Sequence, residues 1–367
     1  MLDLLRSLDP RLFQVTLVAG EETGQEGSLW HEVERLNIPH YKVPALVRDI
    51  SPLRDYRAMQ ALRRAISRVR PTIVHCHTSK AGLLGCHAAQ RERVPGVVLS
   101  PHGHILGQEA EIPGVPKQGL RRRMIVAAAR YSARHADVVI APNAVERHEG
   151  IQHKMWTDGQ SVTVPNGVDT NRFVPRERDH ARVTLGWPLQ QRIIGVVARL
   201  TREKGIDIAV EAIARLPEDV HLIIAGDGPE RGNLEQQVQQ LGASERVTFL
   251  GVTDRVEELL PAFDALLVPS RTEAHGMVAA EALACRVPIV SADVGGLRSL
   301  IQHEHTGLMV PTGNVTALAG ALRRLLENPG FAERLASRGR AFISGNYSLA
   351  NMIDRTEAVY QQLASSH

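Results

Sequence analysis

Two glutamates eight residues apart, Glu273-Ala-His-Gly-Met-Val-Ala-Ala-Glu281, form the sharpest chemical constellation in the chain. They follow the apolar run 265–268, and Gly276 stands between them. This order puts Glu273 on a strand-to-helix loop and Glu281 about a turn into the next helix. A helix start there leaves the backbone N–H groups of Gly276, Met277 and Val278 without helical partners, a ready site for an anion. Carboxylates so placed can accept hydrogen bonds from sugar or ribose hydroxyls. The same spacing also suits a helix with an acidic first turn and one solvated Glu. A second group, Arg199-Leu-Thr-Arg-Glu-Lys204, follows another strand end and closes at Gly205. Arg offers a planar fork to phosphate oxygens and Lys a point charge. A basic loop solvated at the surface has the same composition.

Two further segments follow strand ends. In Ala225-Gly-Asp-Gly-Pro-Glu230 the glycines permit close backbone approach to a ligand, or merely a tight turn. The segment is not G-x-G-x-x-G, which disfavours a nicotinamide dehydrogenase. In Pro101-His-Gly-His104 a histidine at a sheet's carboxyl edge can donate to a developing charge, although a lone His is more often structural. No set of His, Cys, Asp and Glu has metal-ligand spacing and there is no Asp-x-Asp, so no metal is expected.

The elements that must carry these groups alternate along the chain. Short β-branched runs at 15–19, 72–75, 97–100, 138–141 and 161–164 read as one series of strands, and those at 192–198, 221–225, 247–250, 265–268 and 288–291 as a second. Near-continuous apolar runs imply strands buried on both faces, as in a parallel sheet. Amphipathic stretches such as 53–69, 206–215, 231–241 and 315–326 lie between them. This predicts an α/β chain of two doubly wound, Rossmann-like domains facing across a cleft. Turn residues at Val164-Pro-Asn-Gly-Val-Asp-Thr-Asn-Arg-Phe173 set the boundary, with domains at 1–165 and 166–345. A length of 367 residues suits two such domains.

Composition narrows the function. Residues 1–165 hold 22 Lys and Arg against 16 Asp and Glu, a balance of +6, while the remainder stands at −3. A basic first half points to an anionic partner, either a phosphorylated acceptor or a membrane surface. Aromatic residues make up only 4% and do not interleave the basic ones, which argues against nucleic acid. No apolar run approaches 18 residues, no signal-peptide pattern opens the chain, and three cysteines have no framework spacing. A cytoplasmic protein is expected, with possible peripheral contact at the inner face of the membrane. Arg121-Arg-Arg123 and the amphipathic stretch 124–134 could supply that contact, or form a solvated helix end.

In order, His75-Cys-His-Thr-Ser-Lys-Ala-Gly82, Pro101-His-Gly-His104, Pro165 to Phe173, the Arg199/Lys204 loop, Ala225-Gly-Asp-Gly-Pro229, Glu273-x7-Glu281 and Asp293-Val-Gly-Gly296 resemble the family 4 retaining glycosyltransferases of the GT-B fold. The segment from His75 to His104 is most similar to transferases of bacterial exopolysaccharides and surface glycans. The resemblance implies that Arg199 and Lys204 neutralise the diphosphate of a nucleotide sugar, UDP- or GDP-linked, without a metal. It implies that Glu281 holds the ribose. Glu273 would hold the sugar hydroxyls and, with the N–H groups of Gly276, Met277 and Val278, the distal phosphate. His102 would sit near the anomeric centre, Gly226 and Asn166 would join the donor-binding set, and His77, Ser79 and Lys80 would face a glycan or lipid-linked acceptor. A closing helix, 346–367, would return to the first domain.

Two departures stand out. The family opens with a strand and a Gly-Gly loop, whereas this chain begins inside what resembles the helix that follows. The first strand of the N-terminal domain is therefore expected to be missing, and donor binding with weakened transfer to follow. The Glu often found at Ser299 is also absent, which alters a helix start. The other readings are a nucleotide-sugar 2-epimerase, which needs no acceptor, and a nucleotide-sugar-binding protein with little turnover.

Overall fold

The computed structural model describes residues 2–21, 29–47, 49–101 and 119–366. The chain divides into two compact units, Met1–Pro165 with Asn351–His367, and Asn166–Ala350.

The first unit contains β1 (Leu17–Ala19), β2 (His40–Lys42), β3 (Ile73–His77), β4 (Gly96–Ser100), β5 (Val138–Ala141) and β6 (Ser161–Thr163). All pairings are parallel, but they make two sheets: β1 with β2, and β3-β4-β5-β6. Among the described residues β3 has a ladder partner on one side only. β4 has neighbours on both sides and every residue of it is buried. β2 was not expected, because His-Tyr-Lys has no apolar run. The core gathers Leu62, Ile66, Leu84, Leu99, Val139 and Trp156.

The closing helix runs Leu349–Ser365 rather than from 346; Asn346 instead ends the preceding helix, Pro329–Asn346. The break at Tyr347 and Ser348 exists because Val168 hydrogen-bonds across it, its N–H to the Tyr347 carbonyl (2.8 Å) and its own carbonyl to the Leu349 N–H (2.8 Å). Within the first unit, Tyr360 of this helix meets His75 Nδ1 at 2.6 Å, and Glu357 accepts the Asp9 N–H at 3.0 Å.

After β5, Asn143 caps the helix Ala144–Gln152 by accepting the Glu146 N–H at 2.8 Å. The cap turns Glu146 inward, where it is buried. Burial, and then the charge of Glu149, push its carboxyl up to about 7.

The second unit is one parallel sheet built of β7 (Arg192–Val197), β8 (Val220–Ala225), β9 (Val247–Gly251), β10 (Ala265–Val268), β11 (Ile289–Ala292) and β12 (Leu308–Val310), in the order β12-β11-β10-β7-β8-β9. Alternate residues serve opposite faces. Ile194, Val196, Leu222 and Leu267 enter one core, and Ile193, Ile223, Leu266 and Val268 the other. The strand order reverses between β7 and β10, and ligands in such sheets bind at the carboxyl ends beside that switch point.

The opposite ends of these two strands are tied by a buried charge pair. Arg182 is fully buried and donates to the carbonyls of Ala262 (2.9 Å), Leu189 (3.0 Å) and Gln191 (2.8 Å), and to Asp264 Oδ2 at 2.7 Å. Asp264 Oδ2 also accepts the Ile193 N–H at 2.6 Å.

Two outcomes follow from this architecture. Asp264→Ala leaves the Arg182 charge buried without its counterion and should destabilise the second unit by about 3–5 kcal/mol in urea unfolding. Glu146 holds a proton in the folded chain between about pH 4.5 and 7, where the unfolded chain has released it, so stability falls as pH rises through that window. Glu146→Gln should remove this slope and be about 3 kcal/mol more stable than the parent at pH 8, with no gain below pH 4.5.

Candidate functional site

The loops after β7 and β10 meet at backbone level. Gly205 ends the short turn Arg202–Lys204 with φ 66°, and a Cβ there would lie 2.3 Å from the Pro269 carbonyl oxygen. Only glycine meets both demands. This approach brings Lys204 Nζ to 2.7 Å from Glu273 Oε2. The Glu273 side chain is 11% exposed and that of Lys204 25%, so the pair is shielded but not sealed from solvent.

Glu273 is anchored further by Ser270 Oγ at 3.3 Å and by the Gly276 N–H at 3.4 Å. Gly276 is the N-cap of the helix Met277–Ala284, so one of the three N–H groups expected for an anion already faces Glu273. The N–H groups of Met277 and Val278 precede the first helical hydrogen bonds, those of Ala279 and Ala280 to the Gly276 carbonyl. They remain positioned for an anion at the positive end of the helix. Glu281 is half-buried on the same helix. Its charge adds to burial in pushing the Cys285 thiol up to about 12.

Arg199 pairs with Glu203 at 3.2 Å. Burial pushes the Glu203 carboxyl up, but its own N–H, the Thr201 hydroxyl and Arg199 outweigh it and hold the group below its ordinary range. The glycine segment after β8 packs on this loop: a Cβ on Gly226 would lie 1.9 Å from the Ala198 carbonyl oxygen, and Leu200 and Asp227 exchange a backbone hydrogen bond of 2.9 Å. The loops carrying Arg199, Lys204, Gly226 and Glu273 thus form one group at the switch point. Asn166 lies elsewhere in the second unit, in a segment whose backbone hydrogen bonds run to Tyr347 and Leu349. Gly296, from the Asp293-Val-Gly-Gly motif, donates to the Glu273 carbonyl at 2.8 Å and so supports the loop.

In the first unit, His77 ends β3 with its ring 4.0 Å from that of His75, and Ser79 opens the helix Ser79–Arg91 as an exposed residue. Lys80 pairs with Asp55 at 2.6 Å and donates to the Asp49 carbonyl. His75 bridges Tyr360 and Ser100 Oγ (2.8 Å). His102 lies outside the described residues, as does the side chain of Arg121.

Sequence reading passed over Glu203 and Ser270. Both left signals: Arg199 and Glu203 stand at i, i+4, and Ser270-x-x-Glu273 has the spacing of a capping box. Among the described residues no three His, Cys, Asp or Glu side chains are grouped to hold a metal, and no helix is long and apolar enough to cross a membrane.

Comparisons with known proteins identify the family. The family model of Glycosyltransferase Family 4 matches residues 1–172, and that of Glycosyl transferases group 1 matches residues 177–342. An uncharacterized glycosyltransferase of Methanocaldococcus jannaschii is 34% identical over 298 residues, covering 79% of this chain and 75% of the relative. The D-inositol 3-phosphate glycosyltransferase of Mycolicibacterium smegmatis is 31% identical over 309 residues, covering 80% and 68%. The crystal structure of Anabaena HepE in complex with UDP shares the fold at a TM-score of 0.80 and 21% identity, covering 95% of this chain and 99% of that one. Two matched domains and relatives above 30% identity together establish that the chain belongs to the family 4 glycosyltransferases, with a group 1 domain as its second half.

Proposed function

We propose that the chain is a retaining, metal-independent hexosyltransferase that moves a sugar from a UDP- or GDP-linked donor to a glycan or lipid-linked acceptor, in exopolysaccharide or surface-glycan synthesis. The observation that carries this reading is the Lys204–Glu273 pair, held between two switch-point loops beside a helix N-terminus. A diphosphate placed there draws Lys204 and Arg199 to its oxygens and takes hydrogen bonds from the Met277 and Val278 N–H groups. Glu273 keeps Ser270 and Gly276 as partners and turns its other acceptor sites to the sugar hydroxyls. Glu281 takes the ribose. As the sugar–phosphate bond breaks, negative charge grows on the leaving phosphate, and preorganised cations stabilise it without a metal. The leaving phosphate then helps to deprotonate an acceptor attacking from the same face, which retains configuration.

His77 and Ser79 remain the acceptor-side candidates, with Lys80 positioned through Asp55. HepE was solved with UDP, which supports a uridine carrier in this fold. Leu120, Arg123 and Met124 are exposed on the helix Leu120–Arg134, which supports peripheral contact with an anionic membrane at the cytoplasmic face.

Transfer should persist in EDTA and gain nothing from added Mn²⁺; activity that vanishes with EDTA and returns with Mn²⁺ overturns the metal-independent reading. Lys204→Ala should lower kcat by about 10²–10³, whereas a near-normal rate would reduce the loop to a surface feature. A thermal-shift screen over UDP-, GDP- and ADP-sugars should show stabilisation by one base class. Product formed from nucleotide sugar alone would point to an epimerase, and binding without product over a broad acceptor panel to a non-catalytic binder.

A further inference from the structure

Arg271 stands two residues before Glu273, and Asp207 three residues after Lys204. The two side chains meet fork to fork: Arg271 Nη1 donates to Asp207 Oδ1 at 2.7 Å and Nη2 to Oδ2 at 2.6 Å. Arg271 Nη1 also donates to the Arg202 carbonyl at 2.9 Å, and the backbone N–H groups of Arg271 and Thr272 donate to the Glu203 carbonyl at 2.8 and 3.3 Å. Asp207 is held in turn, since Gln237 donates to its carbonyl at 3.0 Å. The Arg271 bonds join the loop after β10 to the turn after β7 and to the first turn of the helix Ile206–Ala214 that follows it.

The side chains of Arg271 and Asp207 are 31% and 44% exposed. A pair that open to water contributes little to folding. Its geometry is nonetheless restrictive, because a bidentate guanidinium–carboxylate contact fixes both distance and plane. Burial pushes the Asp207 carboxyl up, but Arg271 outweighs it and holds the group ionised. A contact that is weak for stability and strict in geometry, placed beside both members of the Lys204–Glu273 pair, acts on their spacing.

We propose that Arg271 and Asp207 are positioning residues that set the separation of Lys204 and Glu273 for the donor. The proposal rests on the donor-site reading above. Misplacing such groups by about an ångström lowers rates by on the order of 10²-fold, so Arg271→Ala should cut kcat by about 10–100-fold. Donor KM should move by no more than about threefold, because the Arg271 guanidinium is engaged by Asp207 and the Arg202 carbonyl. The melting temperature should stay within about 2 °C of the parent chain, as for an exposed pair. Arg271→Lys, which keeps the charge and loses the fork, should fall between Arg271→Ala and the parent, as should Asp207→Asn.

The decisive comparison uses Lys204→Ala as background. There Arg271→Ala should cost little more, because the group it positions is gone. An Arg271→Ala rate within about twofold of the parent overturns the proposal, as does an equal fractional loss in both backgrounds. If Arg271→Ala fails to fold, a full rate in Arg271→Lys and Asp207→Asn overturns it equally. If Lys204→Ala itself turns over normally, the donor-site reading falls and this proposal with it. An inactive Lys204→Ala beside a fully active Arg271→Ala removes the positioning role alone.

Discussion

The Asp264 carboxylate, at the entrance to β10, joins the two strands that matter most in the second unit. It accepts from Arg182, from Arg178 (2.6 Å) and from the Ile193 N–H, while the Asp264 N–H donates to the Ile193 carbonyl at 2.8 Å. β7 and β10 are therefore clamped at their amino ends by a charge pair whose arginine, Arg182, is fully buried. Their carboxyl ends lead into two loops that meet again at Gly205 and Pro269. A strand pair fixed at one end gives those loops a rigid base, and Lys204, Glu273 and the Gly205–Pro269 contact all lie on them.

The site itself is electrostatically balanced. Each cation has a carboxylate of its own, Glu203 for Arg199 and Glu273 for Lys204. Under the proposed function, an incoming diphosphate would exchange partners rather than fill an unsatisfied charge. Glu273 tolerates that exchange because Ser270 and the helix N-terminus also hold it. The N–H groups of Met277 and Val278 need no such exchange, since the first turn of a helix has no internal acceptor for them.

The first unit depends on a different contact. His75 accepts or donates at both ring nitrogens, to Tyr360 on the closing helix and to Ser100 on β4. Burial raises the Tyr360 hydroxyl far above its ordinary value, so it remains a neutral donor or acceptor. The pair fastens the last helix to the strand whose end carries His77, and Phe13 packs edge-on against the same tyrosine at 5.7 Å between centroids. The strand that ends at His77 is thus braced by a segment nearly three hundred positions away in sequence.

Periodicity and turn chemistry determine much of this chain. Apolar runs such as Ile193 to Val197 and Ala265 to Val268 can only be strands buried on both faces, and Gly205 and Gly276 mark the turns that follow two of them. Glu273 and Lys204 were legible as candidates for the same reason. Two of the three-residue strands escaped, His40–Lys42 and Leu308–Val310, which are too short to show a period and form only against neighbours already in place. The break at Tyr347 escaped because Val168 creates it from a distance. Arg182 reads as an ordinary helix-surface arginine until Asp264 and three carbonyls surround it. That Lys204 finds Glu273, or Arg271 finds Asp207, follows from strand order alone. β7 and β10 are neighbours although their loops are more than sixty residues apart, and local sequence records which residues are buried, not which strand lies beside which.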